Sequence, residues 1–219
     1  MRSLLSIPSR PERTTENAQS TARIEALTDG IFAVAMTLLV LALQVARGGA
    51  ADSNAGVFSV FSSAHVGSKF LWFLASFTVA AFYWNGHHMI FWSIERANRI
   101  LKWINLAFLV PVVLVPFTTQ LVGEFPHAPA AATLYVLDVL AAGLILDACW
   151  FYAMLAGLLS PELSPEIVRA INVRVSVVSV ILIAAACISP FIPHLAIGVM
   201  LAAMLSYVIV TAGMRLLVD

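Results

Sequence analysis

The chain has 219 residues, of which 61% are hydrophobic and 11% charged, too much apolar surface for one water-soluble core to hide. Twelve basic residues balance twelve acidic ones, so the formal net charge is zero and no nucleic acid or other bulk polyanion is implied as a partner. The composition points to an all-α integral membrane protein, with lipid as its solvent, because helices satisfy their own backbone polar groups in hydrocarbon.

In chain order, residues 1–22 read as a cytoplasmic N-terminal tail. "MRSLLSIPSRPERTTENAQSTA" has neither the continuous apolar core nor the small-residue cleavage site of a secretory signal, and its Pro, Ser and Thr content favours disorder. Residues 23–219 form the membrane domain. Apolar runs between charged or Pro- and Gly-rich breaks place helices at 23–46, 66–94, 98–121, 129–158, 166–189 and 193–216. Each reaches the roughly 20 residues that cross about 30 Å of hydrocarbon. The last two are separated only by "SPFIPH", whose prolines at 190 and 193 end one helix and restart another, with a re-entrant pair as the alternative.

Lys and Arg placement sets the orientation. With the N-terminus inside, Arg2, Arg10, Arg13, Arg23, Arg96, Arg99, Lys102, Arg169, Arg174 and Arg215 fall on or near the inner side, and only Arg47 and Lys69 fall outside. Both termini are then cytoplasmic, and "ARGGAADSNAGVFSVFSSAHVG" is a flexible external loop. Cys149 and Cys187 lie in apolar runs and act as small hydrophobes.

Ionisable groups at membrane depth are costly and are candidate functional residues. Asp29 is on the first helix, His87 and His88 on the second, Asp138 and Asp147 on the fourth. Asp29 lies six residues past Arg23, roughly 9 Å along a helix, and His88 lies seven before Glu95, roughly 10 Å from the same interface, so the two are level. Glu25 and Asp29 are four apart, a like-charge spacing that calls for a partner. Arg23, or His87 with His88, is expected to hold Asp29 and tie the first helix to the second, as a fold staple or as a gating or proton-sensing element. Adjacent histidines diverge by about 100° on a helix, and no further close-spaced ligands accompany them, so no metal site is expected. Asp138 and Asp147, two and a half turns apart, point to opposite faces and form no carboxylate pair; helix contacts or wet crevices are expected for them, with a transporter-like ion site as the alternative. The chain lacks G-x-S-x-G, H-E-x-x-H, Walker and dinucleotide motifs, so neither an enzyme nor a cofactor is expected.

Val34, Thr37, Leu38 and Leu41 recur at i, i+3, i+4 and i+7, forming one face with a single hydroxyl among branched apolar side chains. Ordinary helix packing explains such a face as well, and Thr37 can bond its own backbone.

"RIEALTDGIFAVAMTLLVL" resembles the R-x-x-x-F-S-D-G first-helix signature of prokaryotic relatives of the lysosomal potassium channel, the transmembrane protein 175 family. Arg23, Asp29, Gly30 and the "AxAxTLLVL" continuation match. "FYWNGHHMIF" and "INLAFLVPVVLVPFTTQLVGEF" are similar to the family's second- and third-helix segments, so the resemblance covers about the first 125 residues. It implies a homotetramer of six-helix subunits in a bacterial plasma membrane, with the first helix of each lining a central K+ pathway. Carried over by distance from Asp29, the constriction positions fall on Val34, Leu38 and Leu41 and the pore threonine on Thr37, while the Arg23, Asp29, His87 and His88 cluster read from depth above is expected to act as a gating or helix-coupling network. Leu27 replaces the usual Phe, Thr28 the usual Ser, and Val34 a longer Ile or Leu, which leaves selectivity less determined than permeation. With no T-V-G-Y-G loop to supply a carbonyl filter, apolar rings would gate by dewetting while Thr37 hydroxyls give a partly stripped cation a rest site, favouring potassium over sodium through its cheaper dehydration. The competing expectations are a proton- or cation-coupled carrier using the intramembrane Asp and His residues, against which no three-span repeat or broken span is visible, and a non-conducting scaffold.

Overall fold

The computed structural model describes residues 15–43 and 64–216, with side chains over 21–43 and 66–204. All of its regular structure is helical: α1 (Thr15–Leu38), a 3₁₀ helix (Leu39–Leu43), α2 (Ala64–Trp92), α3 (Arg99–Glu124), α4 (Pro129–Leu155), α5 (Pro165–Ile188) and α6 (Pro193–Leu216). α1 with its 3₁₀ extension, α2, α3, α4 and α5 are each long and apolar enough to cross a membrane. α6 has 24 residues and an apolar described part, Pro193–Met204.

α1 begins at Thr15, so residues 15–22, expected in the tail, are helical; Glu16, Ala18, Gln19 and Ala22 are good helix formers that outweigh the Ser and Thr beside them. Residues 46–63 of the expected external loop, and the last residues expected in the first helix, lie outside the described residues, while residues 64–67, also expected in that loop, open α2.

Local chemistry sets the other ends. Asn98 caps α3 by accepting a hydrogen bond from Leu101 N at 2.9 Å, and Ser164 caps α5. Pro129 and Pro165 stand in the first turn, where no intrahelical N–H is needed. α4 ends at Leu155, three residues before the expected boundary. Gly157 there takes φ +63°, with Leu158 N donating to Ala153 O and Gly157 N to Met154 O, a left-handed C-terminal motif that suits glycine.

Between α5 and α6 the chain turns through Ser189–Ile192, and α5, with 24 residues, is long and apolar enough to cross a membrane by itself.

α4 packs most extensively on α3 and also meets α2, α5 and α6, making it the axis of the bundle. Tyr135 and Trp150 of α4, Phe108 of α3, Phe91 of α2 and Phe32 of α1 are fully buried in the core. At the end of the bundle that holds Arg96, the α2–α3 and α4–α5 loops clip together: Glu95 N donates to Leu158 O and Ser160 N to Ser93 O. At the opposite end Lys69 of α2 pairs with Glu124 of α3 at 2.8 Å.

Candidate functional site

α1 has two unlike faces. Thr21, Ile24, Thr28, Phe32, Ala35 and Leu39, spaced three and four apart, are buried in the bundle. Val34, Leu38 and Leu41 lie on the other side with 57%, 41% and 57% of their surface exposed within the single subunit. Thr37 is exposed with them, and its hydroxyl donates to Val34 O at 2.8 Å. Leu27, Gly30, Val34 and Leu38, together with Val113 of α3, also line an apolar cleft of 340 Å³.

The buried face is anchored by a polar lock. His87 Nε2 lies 2.8 Å from Asn105 Oδ1, and since a carbonyl oxygen only accepts, the ring nitrogen donates. Asn105 Nδ2 donates to Thr28 Oγ1 at 3.2 Å, and Thr28 Oγ1 is 3.4 Å from His87 Nε2. One residue each from α1, α2 and α3 thus closes a triangle with all three side chains buried. The imidazole stacks on Phe91 at 4.1 Å and on Phe108 at 5.7 Å, which fixes its plane.

The expected cluster is brought together in part. Asp29 and the histidines are at one level, but Asp29 Oδ1 accepts from Trp84 Nε1 at 2.8 Å, not from Arg23 or a histidine. His88 stacks on Trp84 at 6.0 Å rather than binding the carboxylate. Arg23 is exposed and forms no ion pair with Asp29 among the described residues. The reason is azimuth: His87 and His88 diverge by about 100°, so one turns into the bundle while the other shares its outer face with Trp84, one turn away.

Thr28, Trp84 and Asn105 were not among the candidate side chains. Asn105 carried a signal, being a lone amide in an apolar run six residues past Arg99, roughly 9 Å deep and so level with Asp29.

Asp138 and Asp147 do not meet. Asp138 accepts from Thr118 of α3 at 2.9 Å, and Asp147 accepts from Ser179 of α5. Nearby, Thr119 donates to Ser76, Ser76 to Tyr135, and Tyr83 to Val139 O at 2.6 Å, a set of contacts typical of helix pairing in lipid.

Residues 23–116 match the family described as the endosomal/lysosomal potassium channel TMEM175. The chain is 31% identical over 157 residues to a potassium channel of Streptomyces collinus, covering 69% of this chain and 74% of that one. It is 35% identical over 139 residues to a potassium channel of Chamaesiphon minutus, covering 62% and 67%. The structure superposes with a TM-score of 0.74 on the crystal structure of a lysosomal potassium-selective channel TMEM175 homologue from Chamaesiphon minutus, at 28% identity over 87% of this chain and 97% of that one. With its membrane-length apolar helices and these relatives, the chain is an integral membrane protein that belongs to the TMEM175 channel family.

Proposed function

We propose that this protein is a potassium-permeable cation channel of the bacterial plasma membrane, assembled from four copies with both termini cytoplasmic and α1 of each copy lining the pore. The observation that carries this reading is the division of α1: one face is locked into its own bundle by Thr28, and the other leaves Val34, Leu38 and Leu41 exposed. One such helix cannot enclose a pathway, so a ring of copies must. The potassium-channel names of the Streptomyces collinus and Chamaesiphon minutus relatives supply the ion.

In the ring, Val34, Leu38 and Leu41 form stacked apolar constrictions that exclude water when narrow and admit a partly dehydrated cation when wider. Thr37 serves as the polar rest site between them; its hydroxyl keeps its backbone bond to Val34 O while its oxygen lone pairs stay available to a cation. Of the expected network, Asp29 through Trp84, and His87 through Thr28 and Asn105, couple α1 to α2 and α3 and so set how far the pore helix can move, with His88 stacked on Trp84 beside them.

The test is a bi-ionic reversal potential, with potassium on one side of a planar bilayer and sodium on the other, for wild type and Leu38→Ala. The expected result is a potassium-directed potential in the wild type, and a larger conductance with weaker discrimination in the variant. Slow saturable flux with no unitary current would instead identify a carrier.

A further inference from the structure

α1 stops being an α-helix within the face that carries the proposed constriction. Thr15–Leu38 is α-helical and Leu39–Leu43 is 3₁₀, so the change falls between Leu38 and Leu41. In an α-helix three residues turn the chain by about 300° and raise it by about 4.5 Å. In a 3₁₀ helix they turn it by about 360° and raise it by about 6 Å, so residues three apart eclipse. The tighter winding after Leu38 therefore brings Leu41 close to the Leu38 direction. A continuous α-helix would swing Leu41 about 60° aside and bring Ala42 within about 40° of the Leu38 direction.

A 3₁₀ run of five residues is longer than the backbone favours by itself, so something outside the segment must support it. Leu39 and Ala42, also three apart, are both buried, and the segment packs against α2 and α3. Val40 and Leu41 are exposed. Resting on the pore reading above, we infer that Leu39 and Ala42 are positioning residues: their eclipsed, buried pair holds 39–43 in the 3₁₀ register, and that register stacks the Leu41 ring on the Leu38 ring. Two leucine rings about 6 Å apart in one direction make a dry stretch about two water diameters long. Shifting the same segment to α would break that stretch, turning Leu41 away and a methyl group toward it.

The test is thiol labelling of the full chain in liposomes, in a Cys187→Ser background because Cys187 is exposed while Cys149 is buried. Leu38→Cys, Leu41→Cys and Ala42→Cys are treated with a membrane-impermeant methanethiosulfonate cation and scored by the mass shift of the intact chain, with potassium currents recorded in parallel. Cysteine is close to alanine in size, so Ala42→Cys reports register rather than misfolding. Cysteines at 38 and 41 are expected to label at similar rates, and that at 42 at least about tenfold more slowly, as a thiol on the packed side of the helix. Labelling at 42 as fast as at 41, or protection of 41, overturns the inference. Absence of wild-type potassium current would bring down the pore reading, and the labelling pattern would still decide the register.

Discussion

Asn105 is a buried amide that joins two other buried polar groups, donating to Thr28 and accepting from His87. Replacing it by alanine leaves His87 Nε2 and Thr28 Oγ1 with only their own 3.4 Å contact. Interhelical hydrogen bonds in membranes contribute about 0.6 kcal/mol each on average and up to about 1.7, so Asn105→Ala should cost about 1–3 kcal/mol. A lower midpoint in thermal unfolding of the detergent-solubilised protein checks this, while Thr28→Ser, which keeps the hydroxyl, should stay close to wild type. Asp29 offers a matched pair of variants. Asp29→Asn retains an acceptor for the Trp84 indole and Asp29→Ala does not, so only the alanine variant should change open probability in single-channel records. Equal behaviour of the two would mean that the Trp84 contact plays no part in gating. Depth along the helix was readable in the sequence, since Asp29, the histidines and Asn105 are all roughly 9–10 Å from one interface. The partner was not, because it depends on which way each helix is rotated about its axis.

At the scale of elements, hydropathy located all six helices, and the misplaced boundaries have local causes. The end of α4 is decided by Gly157 and its left-handed turn, and the start of α1 by helix formers within a stretch that composition alone marks as disordered. Pro111 and Pro116 stay inside α3, where each removes one backbone hydrogen bond but does not end the helix, because neighbouring helices hold it in place. Gly143 of α4 shows how close that packing is. A Cβ there would lie 2.9 Å from Leu182 Cδ1 and 3.0 Å from Tyr83 OH, and Tyr83 is held by its bond to Val139 O. Gly143→Ala should therefore destabilise the protein by about 1–3 kcal/mol through overpacking, read as a lower unfolding midpoint. Gly86→Ala, where the nearest atom is Leu146 Cδ2 at 3.6 Å, should be tolerated.

For the whole molecule, the exposed apolar face of α1 and the cleft between α1 and Val113 are left uncovered by the other described residues of the subunit. Native mass spectrometry from mild detergent should give a complex of four chains, and oxidation of Leu38→Cys in the Cys187→Ser background should link neighbouring chains in pairs; a monomer with no cross-link would end the pore proposal. What the sequence by itself determined is that the chain spans a membrane repeatedly as helices, because hydrocarbon thickness and the need to satisfy every backbone group leave few other solutions. It also located the first-helix face and the depth of the polar residues, since both follow from rise and turn per residue. Only the tertiary structure decided that Asp29 meets Trp84, that His87 meets Asn105 and Thr28, and that the chain turns 3₁₀ after Leu38. Those outcomes depend on how helices distant in sequence rotate and press against one another, and no local pattern along one helix encodes them.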